Sequence, residues 1–310
     1  ATEITPSPEL LTSYQQRFDQ ASSNHRKDNF HFLVQSLTFP QARYENGADQ
    51  LQPSASIIKF PLAIFVAFRF SKEIGQAQKT TLKSGKDLPY FFYHLRQMLV
   101  NSHNTSTDII LQEIATSPNP LDDFNNFLHT YLGFPESEGL TNWISLPSTT
   151  LPITRPGFDN PITLNSFANL VSTLESTADL DPLISAAHPE FAPDQSLPEF
   201  RQNLNLALSN IKFLLALPSD APDAETLLDE ALIDAQGRHP GIVFAYYNKD
   251  GHLRPSDWNQ RRQFNDEIAY VTATYNSRTV GTVIAYTTSS WYLQDFLDTA
   301  LDLTADLARL

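Results

Sequence analysis

Strand-forming runs in this 310-residue chain lie at its two ends, and helical patterns fill the middle. The C-terminal third contains three consecutive β-rich runs, at 241–247, 267–275 and 280–288, which predict an antiparallel meander. Residues 30–38, near the N-terminus, have the same character. The simplest arrangement is one sheet built from both ends of the chain, with a helical lobe inserted between them.

Helices are predicted on both sides of these strands. An amphipathic pattern over 9–21 precedes the first strand, and a second pattern over 291–310 closes the chain. In the middle, helical patterns cover residues 88–132 (with a break near Ser102), 164–176 and 199–216. We therefore expect an α/β protein of the α+β kind, with an antiparallel sheet flanked by terminal helices plus an all-helical lobe.

The chain is expected to form a single unit with two parts. Residues 1–55 and 236–310 would supply the sheet and its flanking helices, and residues 56–235 the mainly helical lobe. Residues 134–160 are rich in Pro, Thr, Gly and Ser without periodicity, which predicts a long loop. Loops of that length inside a compact protein are often functional.

Composition excludes several classes of function. The formal net charge is -14 and no Lys/Arg-rich run occurs, so we expect no nucleic-acid partner. Cysteine is absent, which excludes disulfides and thiolate chemistry, and the eight histidines form no HxH or HExxH pair. We expect no metal and no cofactor. The longest apolar stretch, 60–70, is too short for a membrane span and contains Arg69, so no membrane insertion is expected.

Three short motifs occur in a meaningful order: SxxK at 56–59, SxN at 102–104 and KxG at 249–251. In the first, positions i and i+3 share one helix face. Ser56 would lie near the positive end of the helix dipole, which favours a developing oxyanion. Lys59 can accept the hydroxyl proton if burial and nearby cations lower its pKa.

Each motif is short enough to recur by chance, so context and order must select among the copies. Further matches are SxxK at 209–212, SxN at 22–24 and 117–119, and KxG at 83–85. Only Ser56 stands at the opening of a run that is apolar nearly all round, 60–68, which predicts a buried helix.

The flanks of the first two motifs resemble those of a known family. Residues 55–62, ASIIKFPL, look like the nucleophile helix of class A β-lactamases and related penicillin-binding proteins, and residues 98–105, MLVNSHNT, resemble their second motif. Similar stretches also occur at 127–133, 265–271 and 283–288. The resemblance therefore implies a penicillin-recognising serine hydrolase from about residue 30 to the C-terminus.

The resemblance implies a role for each matching residue. Ser56 would attack the carbonyl carbon and Lys59 would activate it. Ser102 would relay a proton to the leaving nitrogen, while Asn104 would hold the side-chain amide of the substrate. Lys249 would supply positive charge near the substrate carboxylate.

The resemblance also implies the surroundings of the reaction. The oxyanion hole would be the backbone N–H of Ser56 and of His252, the residue after Gly251. The substrate would be a small-molecule β-lactam or a peptidoglycan peptide, and the protein would be exported to the periplasm or the extracellular space. The polar lead from Ala1 fits a mature exported protein, and it also fits a trimmed sequence.

Two motif positions depart from the family pattern. His103 replaces the Asp usual in β-lactamases, and Asp250 replaces the usual Thr or Ser of the third motif. A carboxylate at 250 would repel a substrate carboxylate unless it points away. Residues 248–251, NKDG, also make a good hairpin turn, so the third motif has a purely structural alternative.

The loop that carries the deacylating Glu in the family can be aligned in two ways. If residues 140–143 match the family's Leu-x-x-Trp, Ile144 occupies the Glu position. If Glu138 and Asn142 are matched instead, the Glu-x-x-x-Asn spacing is kept. Trp is the rarer anchor, which favours the first alignment. Without that Glu, an acyl-enzyme would form but hydrolyse slowly.

The expected function is acyl transfer to Ser56 in a class A β-lactamase-type hydrolase. The alternatives are a penicillin-binding, DD-peptidase-like enzyme with slow deacylation, and a non-catalytic envelope protein on the same fold. Plain structural alternatives exist for the residues too. Ser56 could simply start a helix, residues 102–104 could form a loop cap, and Glu138 could be a solvated loop carboxylate.

Overall fold

A computed structural model of the protein describes residues 4–144, 160–221, 226–253 and 264–310. Its main sheet has five strands: β1 (His31–Ser36), β2 (Arg43–Asn46), β5 (Val243–Leu253), β6 (Phe264–Tyr275) and β7 (Arg278–Thr288). The strand order is β2-β1-β7-β6-β5 and every pairing is antiparallel. The predicted sheet built from both ends of the chain is therefore confirmed, with β5 at one edge.

One face of this sheet packs against helices from both ends of the chain. They are α1 (Pro8–Asn24), α11 (Leu227–Arg238) and α12 (Gln294–Arg309). Helix α1 begins where Ser7 accepts a hydrogen bond from the backbone N–H of Leu10. Phe18 of this helix stacks on Phe32 of β1 with ring centroids 5.6 Å apart. The predicted terminal helices are confirmed.

The middle of the chain is helical, as predicted. Its helices are α2 (Lys59–Arg69), α3 (Ser71–Gln76), α4 (Lys79–Ser84), α5 (Tyr90–Val100), α6 (Asn104–Ile114), α7 (Pro120–Thr130), α8 (Leu164–Glu175), α9 (Thr177–Phe191) and α10 (Leu197–Leu215). Helix α2 lies at their centre, since every residue from Lys59 to Phe68 is buried. Phe65 stacks on Phe127 of α7 at 4.7 Å. The apolar run after Ser56 is thus a buried helix.

Two compact units divide the chain. One comprises Ala1–Gln50, Thr163–Val171 and Pro222–Leu310, and it holds the main sheet. The other comprises Leu51–Ile162 and Ser172–Ala221, and it contains a two-stranded sheet of β3 (Gln52–Pro53) and β4 (Pro161–Ile162). The domain limits predicted at 55/56 and 235/236 stay a prediction.

The predicted loop over 134–160 is described only in part. Residues 134–144 contain turns and bends without helix or strand, and residues 145–159 lie outside the described residues. Among the helices that the structure describes, none is long and apolar enough to cross a membrane.

Candidate active site

Ser56 lies in a short 3-10 turn, Ala55–Ile58, and the α-helix α2 begins at Lys59. The turn follows β3, where the N–H of Ser54 donates to the carbonyl oxygen of Asn160 at 3.1 Å. Ala55 has a φ of 41°, in the left-handed region that costs a β-carbon residue energy. Ser56 thus precedes α2 by one turn, because the strained residue before it separates the strand from the helix.

Lys59 holds the centre of a polar cluster within the helical unit. Its side chain is fully buried, and Nζ lies 3.0 Å from Ser56 Oγ and 3.2 Å from Ser102 Oγ. Nζ also donates to the carbonyl oxygen of Ser102 at 2.6 Å and to Asn104 Oδ1 at 2.7 Å. An ammonium has three N–H donors, so these oxygens compete for it. The structure therefore places Ser56, Ser102 and Asn104, the predicted site residues of the first two motifs, around the amine of Lys59.

The backbone at Ser102 is held in an unusual conformation between α5 and α6. Its φ is 54°, again in the left-handed region. The preceding Asn101 donates to Asp220 Oδ2 at 2.8 Å and accepts from the Asp220 N–H at 2.9 Å. Arg96 donates to Asp220 Oδ1 at 2.9 Å, and this hydrogen bond lowers the pKa of Asp220 to about 2. A charged network thus fixes the chain immediately before Ser102.

His103 serves as the N-cap of α6. Its Nδ1 accepts from the backbone N–H of Ser106 at 3.3 Å, which satisfies one of the free donors at the helix start. The loop-cap alternative is therefore correct for His103, while the residues on either side of it bind Lys59. Asn104 is the first helical residue and is exposed, although its Oδ1 binds the buried amine.

Glu138 lies in a tightly held turn after α7. Only 2% of its surface is exposed, so the alternative of a solvated loop carboxylate is wrong. His129 Nε2 donates to the Glu138 carbonyl oxygen at 2.8 Å, which ties this turn to α7. Asn125 of α7 binds both backbone groups of Leu140, at 2.7 and 2.8 Å. A β-carbon on Gly139 would lie 2.4 Å from Asn125 Oδ1, so this turn requires glycine.

Ile144, the other candidate for the loop position, is tied to the helix that carries Asn104. Its N–H donates to Asp108 Oδ1 at 2.9 Å, and Asp108 lies one turn after Asn104 on α6. Asn160 Oδ1 accepts from the backbone N–H of Thr141 at 2.8 Å. These hydrogen bonds hold the backbone of the segment and do not involve the side chain of Ile144. Both alignments of this loop therefore stay predictions.

The third motif lies on a strand. Lys249, Asp250 and Gly251 belong to β5, which continues to Leu253 and pairs with β6 throughout. The hairpin-turn alternative is therefore wrong, because the chain stays extended through NKDG. Lys249 is 3% exposed, and its Nζ donates to the Asp250 carbonyl oxygen at 3.0 Å.

Comparison with solved structures identifies the fold. Neither a family model nor a curated protein sequence matches the chain. A β-lactamase from Xanthomonas campestris pv. campestris is similar with a TM-score of 0.56 and 13% identity, covering 96% of this chain and 98% of that one. The chain has the β-lactamase fold.

Other solved structures with the β-lactamase fold are similar to the same extent. The β-lactamase from Streptosporangium roseum has a TM-score of 0.56 and 12% identity, covering 96% of this chain and 100% of that one. A variant of the last common ancestor of Gram-negative class A β-lactamases has a TM-score of 0.52 and 16% identity, covering 96% and 95%. The resemblance found in the sequence is thus confirmed for the fold, which is all that such identities establish.

Within this β-lactamase fold, Asp250 changes the charge of the third motif. Its Oδ1 lies 3.2 Å from Lys249 Nζ, and its Oδ2 lies 3.3 Å from His252 Nε2. Burial alone would raise the pKa of Asp250, but Lys249 and His252 together hold it well below its usual value. The hydrogen bond that His252 donates to Asp250 raises the pKa of His252 in turn. The positive charge of Lys249 is therefore already balanced within the strand.

Two buried acids on the neighbouring strand were missed by the sequence analysis. Asp266 is 1% exposed, and neither carboxyl oxygen has a hydrogen-bond partner among the described residues. Burial, reinforced by the charge of Asp250, raises its pKa well above the usual value. Burial also raises the pKa of Glu267 to about 7, although Tyr286 donates to this carboxyl at 2.6 Å. The only sequence signal is an Asn-Asp-Glu triplet at the start of a β-rich run.

No group of three or more His, Cys, Asp or Glu side chains suited to a metal ion occurs in the described part of the chain.

Proposed function

We propose that this protein is a serine hydrolase of class A β-lactamase type, acylated at Ser56 and acting on β-lactams or related amides. The observation that carries the proposal is the buried Lys59 amine, whose Nζ is 3.0 Å from Ser56 Oγ and 3.2 Å from Ser102 Oγ. A hydroxyl nucleophile, a basic nitrogen and a second hydroxyl within hydrogen-bond reach are the parts that acyl transfer needs.

Acylation would begin when Lys59 has lost its proton. The free amine accepts the Ser56 proton while Oγ forms a bond to the substrate carbonyl carbon. When the C–N bond breaks, the proton passes from the amine through Ser102 Oγ to the leaving nitrogen, which restores the amine. Backbone N–H groups of Ser56 and His252 would stabilise the oxyanion, a role taken from the resemblance.

Substrate binding is proposed for three further residues. Asn104 is exposed and uses only Oδ1 on Lys59, so its amide N–H donors can bind the side-chain carbonyl of a substrate. Gly251 and His252 belong to β5, whose outer edge offers backbone groups for β-type pairing with a substrate amide. Lys249 would offer its positive charge to a substrate carboxylate, and the ion pair with Asp250 offsets part of that charge.

Deacylation separates the two enzymatic versions of the proposal. In the first, Glu138 acts as the general base for water, and the enzyme turns over as a β-lactamase. In the second, the apolar Ile144 takes this position, and the protein is a DD-peptidase-like enzyme that releases its acyl group slowly. The rarer anchor, Trp143, favours the alignment of the second version.

The biological setting is proposed from the resemblance and the fold. The partner would be a small-molecule β-lactam or a peptidoglycan peptide, without nucleic acid, and the protein would work in the periplasm or outside the cell. The β-lactamase names of its structural neighbours support the first of these by analogy of fold.

Intact-mass measurement after incubation with a panel of penicillins and cephalosporins tests the proposal. We expect a mass gain equal to one β-lactam that disappears in Ser56→Ala. The matched control is Ser209→Ala, which alters the serine of the other SxxK sequence; there, Ser209 accepts from Lys79 and Lys212 pairs with Glu175. No adduct and no nitrocefin turnover across the panel would instead favour the non-catalytic envelope protein.

A further inference from the structure

A short hydrogen-bond chain connects two histidines at the start of α6. His103 Nδ1 lies 2.9 Å from Ser106 Oγ, and His94 Nδ1 of α5 lies 2.9 Å from the same oxygen. The backbone N–H of Ser106 points at His103 Nδ1 from 3.3 Å. Two imidazole nitrogens thus contact one buried hydroxyl, immediately beside the residues that bind Lys59.

The positions of the protons in this chain follow from the donors present. A backbone N–H can only donate, so His103 Nδ1 must be the unprotonated, accepting nitrogen. The Ser106 hydroxyl then donates its single proton to the same Nδ1, and it accepts a proton from His94 Nδ1. His103 is therefore neutral, with its proton on Nε2, and the direction of the chain runs from His94 to His103.

We infer that His103 is a positioning residue whose neutral form holds Ser102 and Asn104 in place for acylation at Ser56. This inference rests on the proposed function, because it assigns a condition under which that function operates. Protonation of Nδ1 would turn the acceptor into a donor facing the Ser106 N–H, and the cap would be lost. The first turn of α6, with Asn104 as its first residue, would then lose its anchor.

Charged and titratable groups reach this hydrogen-bond chain from three helices. Helix α5 contributes His94, α6 contributes Glu113, and α2 contributes Lys59, which reaches the region through Ser102 and Asn104. Burial and the neighbouring His103 lower the pKa of His94, while Glu113 opposes this. Protonation of His94 is therefore disfavoured.

The departure from the family pattern acquires a physical meaning here. An Asp at this position would accept the same backbone N–H at any pH above about 4. Histidine provides the acceptor only when it is neutral. The protein should thus acylate well at neutral pH and poorly in acid, with a dependence that Lys59 alone does not account for.

The test compares acylation rates by benzylpenicillin in wild type, His103→Asn and His103→Asp at about pH 5.5 and about pH 7.5, within the range in which histidine side chains in general can change charge. Asn and Asp both cap helices at either pH. The ratio of the neutral to the acid acylation rate should therefore be about five- to tenfold smaller in each variant than in wild type, roughly the effect of one cap. His188→Asn is the matched control, because His188 belongs to another helix and donates to Gln195. An acid loss in both cap variants equal to that of wild type would overturn the inference.

Nuclear magnetic resonance separates this inference from the proposed function. Long-range proton–nitrogen spectra should assign the His103 proton to Nε2. Protection of the Ser106 amide, corrected for the intrinsic exchange rate at each pH, should fall in acid in wild type but not in His103→Asn. If wild type forms no adduct with any β-lactam, the proposed function fails, and the spectra still decide the cap. A proton on Nδ1, or Ser106 exchange that is equally fast in both proteins, would refute the cap.

Discussion

The two polar clusters of this protein differ in how well their buried groups are satisfied. Around Lys59, the buried amine has oxygen partners from Ser56, Ser102 and Asn104. On β6, the equally buried Asp266 has no hydrogen-bond partner for either oxygen within the described residues. A buried polar group without a partner costs free energy. The hydrogen bonds around Lys59 therefore stabilise the folded state, whereas burial of Asp266 destabilises it.

The two clusters also differ in how far their residues match the β-lactamase motifs. The satisfied cluster contains the residues that match the family, whereas Asp250 of β5, which contributes to the raised pKa of Asp266, replaces the family's Thr or Ser. The proposed acyl-enzyme formation would therefore rest on a complete set of contacts. The proposed recognition of a substrate carboxylate would rest on a strand in which Asp250 offsets the charge of Lys249.

The largest effect is expected from the satisfied cluster. Lys59→Ala should slow acylation about 1,000-fold, because a positioned general base contributes roughly 10²- to 10⁴-fold. The rate is measured by intact mass against time with benzylpenicillin. Lys212→Ala is the control, since Lys212 belongs to the second SxxK sequence and pairs with Glu175 instead. Acylation of Lys59→Ala at the wild-type rate would remove the amine from the mechanism.

The next effect concerns the loop carboxylate. If Glu138 is the base for deacylation, Glu138→Gln should lengthen the life of the acyl-enzyme several hundredfold, within the range of general-base catalysis. If Ile144 occupies the position, Ile144→Glu should shorten it instead. The measurement is loss of the adduct after removal of free penicillin. An unchanged lifetime in both variants would mean that neither residue activates water.

The free energy of unfolding should depend on pH through Glu267 of β6. Burial raises the pKa of Glu267 from its ordinary value of 4.5 to about 7, so the folded state holds the proton more tightly than the unfolded state. The contribution of Glu267 to the free energy of unfolding is then fully present below about pH 4.5. It is lost as pH rises through 7, which lowers stability by roughly 3 kcal/mol.

Glu267→Gln should abolish this contribution, because the amide keeps an acceptor for Tyr286 without a charge. Urea denaturation at several pH values between about 4.5 and 8 is the measurement. Wild type and variant should converge in acid, and the variant should be more stable at the alkaline end. Parallel pH curves would show that Glu267 is no more acidic or basic than in the unfolded chain.

The smallest effect tests the paired charges of the third motif. Asp250→Thr restores the family residue and frees Lys249 from its ion pair, so acylation by a carboxylate-bearing penicillin should rise about tenfold relative to an uncharged ester. Asp250→Asn removes only the charge and should act in the same direction. A fall in this ratio in both variants would mean that the carboxylate assists binding.

The fold and the first two motifs could be predicted because their signals are local. The β-rich runs became β5, β6 and β7, and the apolar run after Ser56 became α2. Helix α9 could not be recognised, since Pro182 and Pro189 lie inside it and interrupt the helical pattern.

Other parts of the site depend on contacts that sequence spacing does not encode. The left-handed backbone of Ala55 and Ser102 is imposed by neighbouring segments, so neither residue type predicts it. The raised pKa of Asp266 arises from burial by residues distant in the chain. Asn101 is held by Asp220, 119 positions away, through a side-chain contact that no motif announces.

Helix α2 has a consequence for how this protein can change. Lys59 is its first residue, and all nine residues that follow, from Phe60 to Phe68, are buried. The reactive nitrogen therefore cannot be shifted by small adjustments, because every neighbouring position already fills space in a close-packed interior. Laboratory selection for new substrates should accordingly yield substitutions along β5 or in the loop before residue 144, and leave this helix untouched.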